Sequence, residues 1–331
     1  MEIGKLSQEQ LEKLIFNRIK YKHKEVITGS GTGEDCAILK MDDYCVLSTD
    51  PITAASDGIA KLCIHINAND VASAGAEAFA MLITMLIPPE ASQDEVEKVM
   101  DQLIETAEQE NIDIIGGHTE VTDAVNRIVI SATVLGKTKR PLSTAGAKSG
   151  DSLIITKSAG IEGTRIICMD FPCISEKLTN EEIIEADAYS KLLSVTKEAE
   201  ISVKIGVNAM HDITEGGVLG AVYEMASASG LGAIIDNNRI PVTPLTKKVC
   251  ELVNIDPLKL ISSGSMLIAC DDTKKDILMH SLEEAGISAS WIGTLDDSGK
   301  CFIKNKTGLL VISPPGSDEI YKVVSHFGGK D

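Results

Sequence analysis

The sequence predicts two mixed α+β domains, roughly residues 1–140 and 150–331. Three observations carry this. At 331 residues the chain is long enough for two cores. Apolar runs of strand length alternate with capped, helix-periodic segments in both halves. Between the halves, KTKRPLSTAGAKSG (137–150) is polar and rich in turn formers.

In order along the first half, Ser7 and Gln10 form a capping-box pattern ahead of a helical stripe of Leu11, Leu14, Ile15 and Ile19. A glycine-rich loop, ITGSGTGED, fills 27–35. Strands are expected at Cys36–Leu39 and Tyr44–Ser48. Ser56 or Asp57 can cap a helix over about 58–75. Residues 79–87 read as a buried strand stopped by Pro88-Pro89. Ser92 and Glu95 predict a second capping box, for a helix to about 110. Ile112–Ile115 is a strand that runs into a Gly116-Gly117 loop, and Arg127–Gly136 is another strand.

The second half restarts with a strand at Ser152–Thr156. The pattern Thr179–Glu182 opens a helix expected over 179–199, and another follows Gly216-Gly217 to Gly230. Strands near 232–236, 265–270 and 288–293 alternate with helices near 273–286 and 318–326.

Composition excludes several classes. Lys and Arg total 31 against 49 Asp and Glu, a net charge of −18. That opposes a nucleic-acid binder, which needs a basic face, and docking on anionic lipid. The longest apolar run, Ala78–Pro89, is too short for a bilayer span, and MEIGKLSQEQ carries no signal-peptide pattern. A cytoplasmic protein is expected. The eight cysteines form no C-x-x-C, so buried reduced thiols are the expectation.

Familiar motifs fail. Gly136-Lys137-Thr138 would need a glycine where Ser131 stands to be a phosphate loop. Gly29-x-Gly31-x-Gly33 has Glu34 where a dinucleotide loop ends in glycine. His118-Thr119-Glu120 lacks the P-C-x-x-C of a zinc deaminase.

What remains is a set of acidic positions at element ends: Glu34 and Asp35 after the glycine loop, Asp50 after a strand, Asp70 on an apolar helix, Glu120 after Gly116-Gly117, and Asp212 with Glu215 before Gly216-Gly217. Asn67 and Asp70, three apart, share a helix face. A carboxylate on so apolar a helix is paired, caps a backbone, or binds metal. Asp50 is either a turn former before Pro51 or a ligand. Asp212 is either a helix cap or a ligand, and His118 and His211 either bond locally or act. Converging aspartates would repel one another unless Mg²⁺ bridged them to phosphate oxygens, and glycine loops admit phosphate to backbone amides.

In order, GTGEDCAIL (31–39), STDPIT (48–53), HINANDVASAGAEA (65–78), GGHTEVT (116–122), HDITEGGVLG (211–220) and SSGSMLIA (262–269) resemble the aminoimidazole ribonucleotide synthetase (PurM-like) superfamily, and within it the HypE-like members. The resemblance implies an N-terminal half giving strands to a homodimer barrel, a C-terminal α+β half beside it, and ATP with Mg²⁺ in a cleft. It implies Glu34, Asp35, Asp50, Asp70 and Asp212 as metal residues. Gly31, Gly33, Asn67, Gly116, Gly117, Thr119, Thr214, Gly216 and Gly217 would face the nucleotide. His118, Glu120 and Lys5 are the candidates for catalysis. The chain departs from the HypE pattern in ending Phe-Gly-Gly-Lys-Asp rather than Pro-Arg-Ile-Cys. The activity expected is ATP-dependent activation of a carbonyl, amide or phosphate oxygen. The alternative is a non-catalytic nucleotide-binding partner in a maturation or biosynthetic complex.

Overall fold

The computed structural model describes residues 4–5, 12–28, 38–52 and 58–327. The chain forms two compact units, Met1–Val71 with Ala76–Pro141, and Ala72–Gly75 with Leu142–Asp331.

The first unit is built on strands β1 (Gly4–Lys5), β4 (Tyr44–Ile52), β5 (Glu77–Ile87), β6 (Asp113–Val121) and β7 (Val129–Thr138), in the order β1-β6-β5-β7-β4. A two-stranded piece, β2 (Val26–Thr28) with β3 (Ile38–Leu39), stands apart. β5 and β6 run parallel; the other pairs are antiparallel. Register divides the sheet into two faces. The row Asp50–Ala132–Ile83–Gly117 and the next, Ile52–Ile130–Met85–Thr119, lie on one. The row Pro51–Ser131–Thr84–His118 lies on the other.

Helix α1 (Ile59–Ser73) covers the first face: a Cβ placed on Gly136, in register with Val46, would strike Val71 Cγ1 at 2.1 Å. Leu62, Cys63, Ile64, Asn67, Ala68, Asn69 and Val71 are all buried, so this helix is enclosed nearly all round. Helix α2 (Gln93–Gln109) is amphipathic, burying Val96, Met100, Leu103 and Ala107 at helical spacing. Its capping box forms as read, with Glu95 N–H donating to Ser92 Oγ (3.2 Å) and Ser92 N–H to Glu95 Oε2 (2.7 Å).

The second unit holds strands β8 (Ser152–Thr156), β9 (Ala209–Asp212), β10 (Gly232–Asp236), β11 (Met266–Cys270), β12 (Ala289–Asp296), β13 (Cys301–Asn305) and β14 (Gly308–Val311), in the order β14-β13-β10-β12-β8-β11-β9. Its helices are α3 (Ile161–Asp170), α4 (Pro172–Ser175), α5 (Asn180–Ala188), α6 (Thr196–Ile205), α7 (Gly217–Ala228), α8 (Pro244–Val253), α9 (Lys275–Glu284) and α10 (Glu319–Phe327). β8 and β11 lie inside the sheet and are buried on both faces, so they read as unbroken apolar runs. Leu153, Ile155, Leu267 and Ala269 join one core with Val218, Val222 and Met225 of α7. Ile154, Met266 and Ile268 join the other with Leu278 and Leu282 of α9. Among the described residues, no helix is long and apolar enough to cross a membrane.

Several expectations need correcting. Among the described residues of the first stripe, Glu12–Phe16 is helical and Ile19 is not, while Leu11 and the proposed cap at Ser7 lie outside the described residues. So do Ser56, Asp57 and most of the 27–35 loop. β4 runs to Ile52, so Asp50 sits within a strand rather than after one. β6 continues to Val121, so Gly116 to Glu120 are strand, not loop. The helix expected over 179–199 is two, α5 and α6, separated by a tight turn at Tyr189–Leu192. Helices α3 and α8 and the β13–β14 hairpin were not foreseen.

Candidate functional site

In the first unit the site grows from the junction of β4 with α1. Residues 48 and 50 share the face of β4 that α1 covers, and Asn67 and Asp70 share the facing side of the helix. Ser48 Oγ donates to Asp70 Oδ2 at 2.5 Å. Among the described residues β4 is the sheet edge, and no described strand pairs with the outward backbone groups of Asp50. Asn67 bonds them instead: Asp50 N–H donates to Asn67 Oδ1 (2.9 Å), and Asn67 Nδ2 donates to Asp50 O (3.3 Å) and Cys63 O (2.9 Å). Asn67 is fully buried. The side chain expected to face the nucleotide is therefore committed to holding Asp50 in place.

Asp50 and Asp70 are thus presented together on one helix–strand junction. Burial pushes the thiol of nearby Cys63 up to about 12, and the charge of Asp50 adds to that, so Cys63 is a neutral thiol. Oxygen donors on two carboxylates are the hard set that suits Mg²⁺ rather than a softer metal. Among the described residues, no three His, Cys, Asp or Glu side chains form a complete cage. Glu34, Asp35, Gly31 and Gly33, the other first-half candidates, lie outside the described residues.

His118 and Glu120 point to the opposite face of the same sheet, because they are one position out of phase with Thr119. His118 Nε2 lies 3.0 Å from Glu120 Oε2, and both are partly open to solvent. Thr119 is 7% exposed, beneath the α1 side. The backbone of Lys5 pairs with that of Glu120. Gly117 has φ +143°, and a Cβ there would lie 1.8 Å from Ile83 O. The glycine is needed for close approach to β5, which explains its presence in a strand.

In the second unit, Asp212 ends β9 and is 4% exposed. Next to it, His211 Nε2 lies 2.9 Å from Glu224 Oε2. Burial pushes His211 down, but the hydrogen bond to Glu224 and the charges of Asp212 and Glu224 more than offset this, leaving its pKa above the ordinary value. The chain then turns through Gly216 (φ +83°) and Gly217 (φ +60°) into α7. Both glycine amides are engaged: Gly216 N–H donates to Asp318 Oδ2 (2.7 Å), and Gly217 N–H to Thr214 O (3.1 Å). A Cβ on Gly217 would lie 2.6 Å from Leu258 O. The two glycines therefore shape the turn, and their own amides are taken up by Asp318 and Thr214.

The sequence reading missed two buried carboxylates around this turn. Glu162, in the first turn of α3, is 4% exposed, and its Oε2 has no hydrogen-bond partner. Burial pushes it up to about 7, against the pull of Ser263 beside it. Asp318, ahead of α10, is 2% exposed and likewise raised by burial. A lone acidic residue between two glycines in an apolar stretch, Gly160-Ile161-Glu162-Gly163, and Ser-Asp-Glu before an apolar stripe, were the available signals.

Comparison with known proteins gives a consistent picture. Residues 33–138 match the N-terminal domain of AIR synthase related proteins, and 148–306 match the C-terminal domain. A hydrogenase expression/formation protein of Methanocaldococcus jannaschii is 26% identical over 97% of this chain and 97% of its own. The carbamoyl dehydratase HypE of Cupriavidus necator is 26% identical over 79% of this chain and 76% of its own. A solved structure of the hydrogenase maturation protein HypE in complex with ATP has a TM-score of 0.80 at 20% identity, over 94% of this chain and 95% of that one.

Proposed function

The chain belongs to the AIR synthase related family, and on that footing we propose that it is an ATP- and Mg²⁺-dependent enzyme. It transfers a γ-phosphoryl group to a carbonyl, amide or phosphate oxygen of a small molecule or protein-borne group. The acceptor oxygen forms the new bond to phosphorus while the bond to the bridging oxygen of ADP breaks, and ADP leaves. The phosphorylated oxygen is then a good leaving group. The observation that carries the reading is that Asp70, bonded by Ser48, and the backbone of Asp50, held by Asn67, belong to one helix–strand junction.

Asp50 and Asp70, with Asp35 and Glu34 from the glycine loop, are assigned to hold Mg²⁺. The ion would neutralise triphosphate charge. In the second unit, Asp212 is assigned to the metal and Thr214 to the phosphate side. His118, paired with Glu120, is assigned to proton transfer. It acts on the open face of the first unit's sheet, where Thr49 and Thr84 are also exposed. That face is the surface on which a second copy would seat, so the reading includes a homodimer.

A relative named carbamoyl dehydratase and a HypE structure solved with ATP support ATP-dependent activation of an oxygen, while without Pro-Arg-Ile-Cys in this sequence that support does not extend to the acceptor. The test is calorimetric titration with ATP, with and without Mg²⁺, on wild type and Asp70→Asn. Asn keeps an acceptor for Ser48 Oγ, so the fold is spared. Expected is micromolar binding that needs Mg²⁺ and weakens at least 100-fold in the variant. Equal binding in EDTA, or an unaffected variant, would refute the metal assignment.

A further inference from the structure

The backbone of the turn that starts α7 is held from outside by Asp318, beside which Tyr321 Oη donates to Glu215 Oε1 at 2.8 Å. Asp318 lies 102 residues downstream of Gly216, yet accepts its N–H at 2.7 Å in a buried bond. The same carboxylate accepts the N–H of Ile320 at 2.8 Å, at the start of α10, and the Ile261 N–H lies close enough to favour its charged form. Ile261 is tied on its other side too, where Gly163 N–H donates to its carbonyl at 3.0 Å. One buried carboxylate therefore joins the α7 turn, the 261–265 loop and the start of α10.

The segment before Asp318 closes over the same turn. A Cβ on Gly216 would lie 3.0 Å from Pro315 Cβ, and Pro315 is 3.5 Å from the Cβ position of Gly220. With both of its glycines at positive φ, the turn has a conformation that ordinary residues resist. Gly-Gly without an external anchor would sample many others. The carboxylate supplies the anchor, since each of its oxygens accepts one N–H, from Gly216 and from Ile320, and a neutral amide side chain has only one such oxygen.

We propose that Asp318 is a positioning residue: by holding the Gly216–Gly217 turn, it sets the geometry in which Thr214 and the first turn of α7 meet a phosphate group. This rests on the proposal that the α7 start faces the phosphates. Asp318 touches no substrate in this scheme. It acts through the turn.

Two variants test it. Asp318→Asn keeps the size but loses the charge and most of the accepting capacity. Asp318→Glu keeps the charge but moves it by one methylene. Binding of Mg·ATP and of AMP is measured for each, with hydrogen exchange at the Gly216 and Ile261 amides. Expected is exchange faster by at least 10-fold at both amides. ATP affinity falls at least 10-fold, while AMP affinity changes less than 2-fold. A loss of overall structure would weaken both nucleotides alike, so the ATP/AMP ratio isolates the turn. If wild type prefers ATP over AMP and both folded variants keep that preference, the positioning role is refuted while the phosphate reading stands. If wild type shows no preference for ATP, the phosphate reading fails and takes this role with it. Unchanged exchange at both amides overturns the anchor itself.

Discussion

Burying Glu162 makes the second unit less stable in alkali, and the size of the effect follows from its surroundings. The side chain is 4% exposed with an unpartnered Oε2, and its pKa is pushed from 4.5 to about 7. In the unfolded chain the carboxyl loses its proton near 4.5. In the folded chain it holds that proton to about 7. Between those values the folded state binds the extra proton, so stability falls as pH rises. The stability is fully present below 4.5 and the loss is complete above about 7. Over that interval, at ~1.36 kcal/mol per pH unit, the loss is about 3 kcal/mol.

Glu162→Gln removes the titration while keeping the shape. The buried amide has its own desolvation cost, but that cost is the same at every pH and shifts the curve without tilting it. The expected result is a stability difference between variant and wild type that grows with pH, by about 3 kcal/mol from pH 4.5 to 8. For a unit of this size that is a relative gain in melting temperature of about 6–12 °C. Urea and thermal unfolding from pH 4.5 to 8.5 measure it, and every other titrating group cancels in the difference. Parallel curves for the two proteins would refute the claim that Glu162 is held protonated by burial.

Two further substitutions probe local geometry. Gly217→Ala places a Cβ 2.6 Å from Leu258 O at φ +60°, whereas Gly230→Ala, at φ +68°, meets nothing within 4 Å. Gly230→Ala should cost about 1–2 kcal/mol from backbone strain alone, and Gly217→Ala at least about 2 kcal/mol more. Equal costs in denaturant melts would mean that the close approach to Leu258 is not felt. Ser92→Ala breaks the capping box of α2 and should cost about 1 kcal/mol. An unchanged urea midpoint would show the box to be frayed in solution.

How far such features are visible in a sequence depends on how far apart the interacting residues lie. The boxes at Ser92–Glu95 and Thr179–Glu182 were legible because all their contacts fall within four residues, and both form. The shared face of Asn67 and Asp70 was legible for the same reason. Gly116-Gly117 was misread as a loop, since glycine weakens strands. The fact that overrides this, the approach of β5 to Gly117, joins residues 34 apart. The break between α5 and α6 carries no glycine or proline, so no local breaker announced it.

The role of Asn67 shows the limit most clearly. Its type and spacing invited a ligand assignment, but what decides its role is that, among the described residues, β4 lies at a sheet edge, where no described strand pairs with the outward backbone of Asp50. Edge position is a property of strand order, and strand order here departs from chain order in β1-β6-β5-β7-β4. Asp318 follows the same logic across 102 residues. Carboxylates that do chemistry stand in motifs because the substrate requires several at once. Groups that merely hold them need only reach the right backbone, from wherever the topology brings them, and so leave no motif to read.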